Sequence, residues 1–260
     1  MAKVVTFGIQ KGGVGKTMTS GITAFLLAKE NYKVLGVDMD SQGNFTQFLS
    51  GYDDLAVFEN ETVLEAIKDG DARPYIKVVD ENLHLLPADD YLATIAQFLF
   101  REYDGNPSLA LRKAIDPIRD FYDFIIIDTP PALSEQTINA LGASTHVVIL
   151  FETSKFCYSA VPRFWDTIAA AKENINNELE IAGILRTLAD AKRSDSKAMI
   201  ELIGDSYPDH VFKTIIHRRA KTGRLPIYGL WNNPEAKSAF KYHSSFIKEL
   251  KENVGAKTNV

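Results

Sequence analysis

Runs of consecutive apolar residues recur along this chain, separated by stretches whose apolar positions fall three and four residues apart. The runs at 4–9, 33–37, 82–86, 124–127, 145–151 and 181–185 have the length and composition of strands. Where polar residues do not alternate with apolar ones, as at 124–127, a strand is expected to be buried on both faces. Helical spacing appears at 20–29, 63–68, 91–101, 109–119, 195–203 and 235–252. Strands alternating with helices predict an α/β fold: a doubly wound, mostly parallel sheet with helices on both faces. No internal repeat, low-complexity tract or long linker interrupts the alternation, so a single domain is expected over 1–260.

The joint between the first strand and the first helix carries the most specific chemistry. It reads Gln10-Lys11-Gly12-Gly13-Val14-Gly15-Lys16-Thr17, followed by Met18. A glycine-rich turn there can aim successive backbone N–H groups inward, and the helix N-terminus adds partial positive charge, so the segment is suited to cradling a phosphate. Gly12, Gly13 and Gly15 permit the close backbone approach and positive φ that this requires. Lys16 can reach the outer phosphates of a nucleotide, and the Thr17 hydroxyl can ligate magnesium. Lys11 is a second cation beside the same phosphates. Two lysines so close are electrostatically costly unless a polyanion offsets them, which suggests that one acts across a subunit boundary.

Two later strands end in carboxylates. The run at 33–37 leads into Asp38-Met39-Asp40-Ser41-Gln42-Gly43-Asn44. In a parallel sheet that strand end lies beside the glycine-rich turn, and alternate residues point the same way, so both carboxylates can face the phosphates. The run at 124–127 leads into Asp128-Thr129-Pro130-Pro131. An acid at the end of a doubly buried strand needs a cation or donors to meet it. Asp128 therefore reads as a Walker B carboxylate that holds magnesium through a water.

These segments together resemble the deviant Walker A ATPases of the ParA/MinD family, a branch of the P-loop NTPases. The KGGxGK[ST] form at 11–17 is the most specific of them, and Ser41 departs from the family's usual proline. The resemblance is greatest to the small Soj-like ParA partition proteins, because nothing before residue 10 leaves room for a helix-turn-helix domain. It implies ATP and Mg2+ as cofactors and slow ATP hydrolysis. By resemblance, Lys11 would reach the partner's nucleotide in an ATP-sandwich homodimer, acting with Lys16 and Asp40 in catalysis. Asp40 would orient the attacking water; Thr17, Asp38 and Asp128 would serve the metal. The segment after Asp128 would be switch II, a loop that senses the γ-phosphate. The function implied is segregation of plasmid or chromosomal DNA, in which a ParB-type centromere-binding protein stimulates hydrolysis and releases the dimer from DNA. No motif marks the adenine contacts; Arg186 and Thr187, at a strand end near the binding edge, are the candidates.

Composition narrows the reading further. The chain has 260 residues, 45% of them hydrophobic, enough for one large core. No stretch approaches the roughly 20 apolar residues of a membrane span. The N-terminus runs directly into the first strand, which argues against a secretory signal. Cys157 is the only cysteine, in keeping with a reducing cytoplasm, and it separates this chain from relatives of the same fold that need paired cysteines, such as nitrogenase iron proteins. His84, His146, His210, His217 and His243 have no ligand-like spacing.

Net charge is −5, with 29 basic and 34 acidic side chains, yet no Asp or Glu occurs between 210 and 234. That window holds Lys213, Arg218, Arg219, Lys221 and Arg224, and Lys192 and Arg193 precede it. A positive patch on an acidic protein is an electrostatic footprint for phosphate backbones. It also resembles the late basic region with which ParA proteins bind DNA without sequence preference, which implies a nucleoid-associated cytoplasmic protein. The rival is a MinD-like ATPase cycling on a membrane through a basic amphipathic C-terminal helix. The last helix does carry Phe240, Phe246, Ile247 and Leu250 with Lys237, Lys241, Lys248 and Lys251. Glu249 and Glu252 dilute its charge, and packing on the core is the expectation for its apolar face.

Overall fold

A computed structural model describes residues 1–231, 233 and 236–256. Its strands are β1 (Lys3–Gly8), β2 (Val34–Asp38), β3 (Lys77–Asp80), β4 (Leu83–Leu86), β5 (Phe124–Asp128), β6 (His146–Glu152), β7 (Glu180–Ala189) and β8 (Val211–His217). They form one eight-stranded sheet in the order β3-β4-β2-β5-β1-β6-β7-β8. Every neighbouring pair is parallel except β3 with β4. The doubly wound sheet expected from the alternation is present.

Among the described residues, thirteen α-helical segments, besides short 3-10 turns, surround the sheet. The first nine are α1 (Lys16–Lys29), α2 (Asn44–Ser50), α3 (Val63–Asp69), α4 (Ile95–Arg101), α5 (Ala110–Ile115), α6 (Glu135–Ala143), α7 (Lys155–Tyr158), α8 (Ala160–Asn174) and α9 (Ser194–Ser206). The four-residue turns α10 (Ala220–Gly223), α11 (Leu225–Tyr228) and α12 (Ala236–Ala239) lead to α13 (Lys241–Asn253). Alternate residues of the central strands feed opposite layers. Phe124 and Ile126 join a core with Phe7, Ile22, Phe45 and Phe246; Ile125 and Ile127 join another with Val4, Leu35, Val63 and Leu111. A side chain fully withdrawn from water in this way contributes about 1.5–3 kcal/mol, which is why both faces must be covered.

Several elements depart from the pattern-based expectation, each for a local reason. The helix expected at 91–101 is a 3-10 turn, Asp90–Thr94, followed by α4; the Asp89 side chain caps the turn by accepting from Tyr91 N. The one expected at 109–119 is α5 between two 3-10 turns, Pro107–Leu109 and Asp116–Phe121. Pro117 has no N–H to donate and ends regular α-helix there. The helix expected at 235–252 divides into α12 and α13; Glu235, the side chain of Lys237 and residues 257–260 of the polar tail lie outside the described residues. The strands β3 and β8 and the helices α6 and α8 are not marked by the pattern of apolar positions. β3 is a short antiparallel edge with Val78 exposed, and β8 interleaves Lys213 and Thr214 with its apolar residues, so neither gives a clean apolar run.

The packing of α6 supplies a test. Helix propensity alone would make alanine at position 142 stabilising by about 1 kcal/mol. However, a Cβ on Gly142 would stand 2.3 Å from the carbonyl oxygen of Ser108, a backbone atom that cannot rotate aside. Gly142→Ala is expected to lower the unfolding free energy by about 1–3 kcal/mol, read from the urea midpoint. An unchanged or raised midpoint would contradict this packing.

Candidate functional site

β1 lies between β5 and β6, where the chain's winding changes direction, and the carboxyl edge at such a point is where open α/β sheets bind ligands. The glycine-rich turn leaves β1 there. Gly13 and Gly15 have φ of +74° and +84°, so the left-handed conformation that favours glycine is used twice in three residues. α1 then begins at Lys16 with no side-chain cap on its first amides and no acidic residue in its first turn. No atom lies within 4 Å of where a Cβ on Gly13 would be, so the mouth of the turn is open. Those features leave backbone donors and the positive end of α1 available to an anion.

Lys16 is buried, and its Nζ donates to the carbonyl of Lys11 at 3.0 Å, folding the side chain back over the turn. Burial holds its pKa below the usual lysine value, with Asp128 and Asp40 pulling the other way. Lys11 is half-buried, and among the described residues its ammonium makes no hydrogen bond or ion pair.

The carboxylates converge as the strand ends require. Asp38 and Asp128 are register partners on β2 and β5, and both are fully buried. Asp128 accepts from Thr17 Oγ1 at 2.7 Å and from Ser20 Oγ at 2.9 Å. Since the Thr17 proton points at Asp128, its oxygen lone pairs are free to face a cation at the mouth of the turn. Asp38 accepts from Asp40 N at 3.0 Å through one oxygen. Its other oxygen accepts from Thr46 N at 2.9 Å and Thr46 Oγ1 at 2.8 Å. Asp38 thus fixes the 38–46 turn, and Asp40 is left half-buried at the rim, its Oδ1 accepting from Gln42 N at 3.1 Å. Thr129 Oγ1 donates to Phe7 O at 2.8 Å and pins the start of the proline loop, which lies against the turn: Pro131 Cβ is 3.9 Å from a Cβ built on Gly12.

Ser20 and Thr46 belong to this site although no motif marked them. Ser20 carries a readable signal, being three residues beyond Thr17 on the same helix face. The candidates for adenine contact are engaged elsewhere. Arg186 turns to β8 and donates to the carbonyls of Phe212 and Lys213, and the Thr187 hydroxyl donates to Val14 O at 2.8 Å.

The basic residues separate into two kinds. Lys192, Lys213, Arg218 and Lys221 have exposed side chains. The ends of β7 and β8 bring the two groups near each other, since Arg218 N donates to Ala189 O at 2.9 Å and Lys192 follows Ala189 by three positions. Arg193 forks onto Asp195, its Nε at 3.0 Å from Oδ1. Arg219 donates to Ser238 O at 2.8 Å and lies 5.6 Å from the centre of the Tyr242 ring, and Arg224 is half-buried. Arg219 therefore ties the segment to its neighbours. Among the described residues no helix is long and apolar enough to cross a membrane. The apolar face of α13 is spent on the core: Phe246, Ile247 and Leu250 are all fully buried.

Burial raises both buried carboxyls. Asp38 is pushed to about 7, with the neighbouring Asp128 adding to the effect. Asp128 is pushed to about 6, its rise opposed by Thr17, Ser20 and Lys16. In the unfolded chain both titrate near 4, so the folded chain binds more protons between roughly pH 4 and 7, and their ionisation costs stability as pH rises through that window. The protein without nucleotide or metal is expected to show a higher thermal midpoint at about pH 6 than at about pH 8, and Asp38→Asn to flatten that slope. A midpoint that is level or falls toward pH 6 in the unsubstituted protein would contradict the burial of these charges.

A family model described as an AAA domain matches residues 2–181. The sporulation initiation inhibitor protein Soj of Bacillus subtilis is 33% identical, over 97% of this chain and 100% of its own length. The chromosome-partitioning ATPase Soj of Treponema pallidum is 32% identical, over 88% of each chain. A cobyrinic acid a,c-diamide synthase from Mycobacterium smegmatis, with bound ADP and magnesium, superposes with a TM-score of 0.80 at 27% identity and covers 100% of both chains. A plasmid partition protein from Borrelia burgdorferi superposes with a TM-score of 0.73 at 26% identity, covering 95% of this chain and 99% of its own. With its glycine-rich turn, paired buried carboxylates and full-length match to Soj, this chain belongs to the AAA-domain family of Soj/ParA-type partition ATPases.

Proposed function

We propose that the chain is a single magnesium-dependent ATPase domain whose ATP-bound homodimer binds DNA without sequence preference, and which a ParB-type partner releases by stimulating hydrolysis. The observation that carries the nucleotide reading is Asp128, buried and held by Thr17 and Ser20 at the start of an uncapped helix beside Lys16. The residues fit the implied cofactors: open glycine backbone and α1 amides for phosphate, a Thr17 oxygen with free lone pairs for Mg2+, and Asp128 behind it. Bound magnesium would neutralise developing phosphate charge and orient the triphosphate. Lys16 and the amides of 12–18 hold the phosphates. Asp40, at the rim and steered by Asp38 through its own backbone N–H, orients the water. Lys11 supplies charge to a facing subunit.

The same fold serves a biosynthetic enzyme, so function is argued from the rest of the chain. The full-length relation to Soj proteins and the exposed cations on β8 and the turns after it support a DNA-partition switch that works on the nucleoid. The burial of the apolar face of α13 supports the partition reading over membrane cycling through that helix.

Three measurements test this reading. A random-sequence duplex should bind with ATP and magnesium, weakly or not at all with ADP, and lose affinity steeply as salt rises. Equal binding in both nucleotide states, or none, would contradict it. Lys213→Ala and Arg218→Ala should each lower the salt slope by about 1 per subunit without changing sequence preference. Asp40→Ala should bind ATP and dimerise by light scattering yet hydrolyse about a hundredfold more slowly, while Lys11→Ala should bind ATP and stay monomeric. A dimer from Lys11→Ala would exclude the cross-subunit role.

A further inference from the structure

A turn that aims its N–H groups at a phosphate must turn carbonyls the other way, and a carbonyl directed into the protein needs a donor. At Val14 the donor comes from a distant strand. Val14 is buried, and its carbonyl accepts from Thr187 Oγ1 at 2.8 Å in a buried bond between residues 173 positions apart. The sheet order β1-β6-β7 means that the turn leans across β6 to reach the end of β7.

The peptide plane that carries the Val14 carbonyl also carries the Gly15 N–H, and in a trans peptide the two point in opposite directions. Holding the carbonyl on Thr187 therefore aims the Gly15 N–H away from β7, toward the mouth of the turn. The donor is itself held in place. Leu188 has φ of +51°, a left-handed conformation that a branched side chain seldom adopts. Its Cδ2 would stand 3.9 Å from a Cβ on Gly15, so the residue after Thr187 packs at the same turn. Beyond it, Ala189 O accepts from Arg218 N at 2.9 Å, which secures the strand end from β8.

We propose that Thr187 is a positioning residue for phosphate binding: its hydroxyl fixes the Val14–Gly15 peptide so that the Gly15 N–H faces the nucleotide. This rests on the nucleotide reading above. The substitutions Thr187→Val, which keeps the shape and removes the hydroxyl, and Thr187→Ser, which keeps the hydroxyl, separate it from a packing role. Thr187→Ala repeats the deletion with a smaller side chain should the valine variant fold poorly.

Binding of ADP with magnesium is measured by titration calorimetry, alongside steady-state ATP hydrolysis. Thr187→Val and Thr187→Ala are expected to weaken ADP binding about tenfold and to raise KM for ATP with kcat nearly unchanged, while Thr187→Ser stays within about twofold of the unsubstituted protein. Unchanged ADP affinity in Thr187→Val, or equal loss in Thr187→Ser, overturns the proposal while leaving the nucleotide site intact. An unsubstituted protein that does not bind ADP overturns both.

Discussion

Two carboxyl groups buried side by side in a sheet interior are the constraint around which this molecule is organised. Asp38 and Asp128 sit in register on adjacent strands with no exposure to water. Unpaired burial of either charge would cost several kcal/mol, so the surroundings must answer with donors, a cation or a proton. Donors come from Thr17 and Ser20 on one helix and from Thr46 on the next, and Lys16 adds positive charge nearby. Burial still raises the pKa of each acid, which favours the protonated form at lower pH. On the proposed reading, a bound cation would answer what the donors leave unmet.

The sheet order explains why residues so far apart in sequence meet. β5 is inserted between β1 and β2, so Asp128 stands between the strand that leads into the glycine turn and the strand that ends at Asp38. α1 begins immediately after the turn and lies close enough for Thr17 and Ser20 to reach Asp128. A change in strand order would separate these groups even with every residue retained. The same architecture places the ends of β7 and β8 along the same carboxyl edge, where Ala189 O receives Arg218 N from the basic segment.

The most legible parts of the sequence were those where one strong local pattern acts alone. The run at 124–127 ending in Asp128 announced a doubly buried strand with an acid at its tip, and the glycines of 12–15 announced the turn. Thr46 was illegible as a site residue, Ser20 was marked only by its spacing from Thr17, and Thr187 was named only for adenine, because their contacts arise from tertiary approach and hydroxyl residues are common on helices and strands for other reasons. β8 was read for its charge, and its strand character was masked by Lys213 and Thr214 among the apolar residues. Charge counting could not show that Arg219 is engaged with Ser238, or that Arg193, though exposed like Lys213 and Arg218, is paired with Asp195. Exposure is a property of packing, which no residue-by-residue reading contains.

If the buried acids are the counter-charge of a nucleotide-bound cation, binding of that cation must release protons. A metal that takes up ionised carboxylates displaces whatever protons they hold. Calorimetry of Mg·ADP binding near pH 6.5, in buffers of different ionisation enthalpy, counts those protons. Net release is expected near pH 6.5, shrinking toward pH 8 and reduced by Asp128→Asn. Binding without proton release at the lower pH, or release indifferent to Asp128, would contradict that role for the buried acids.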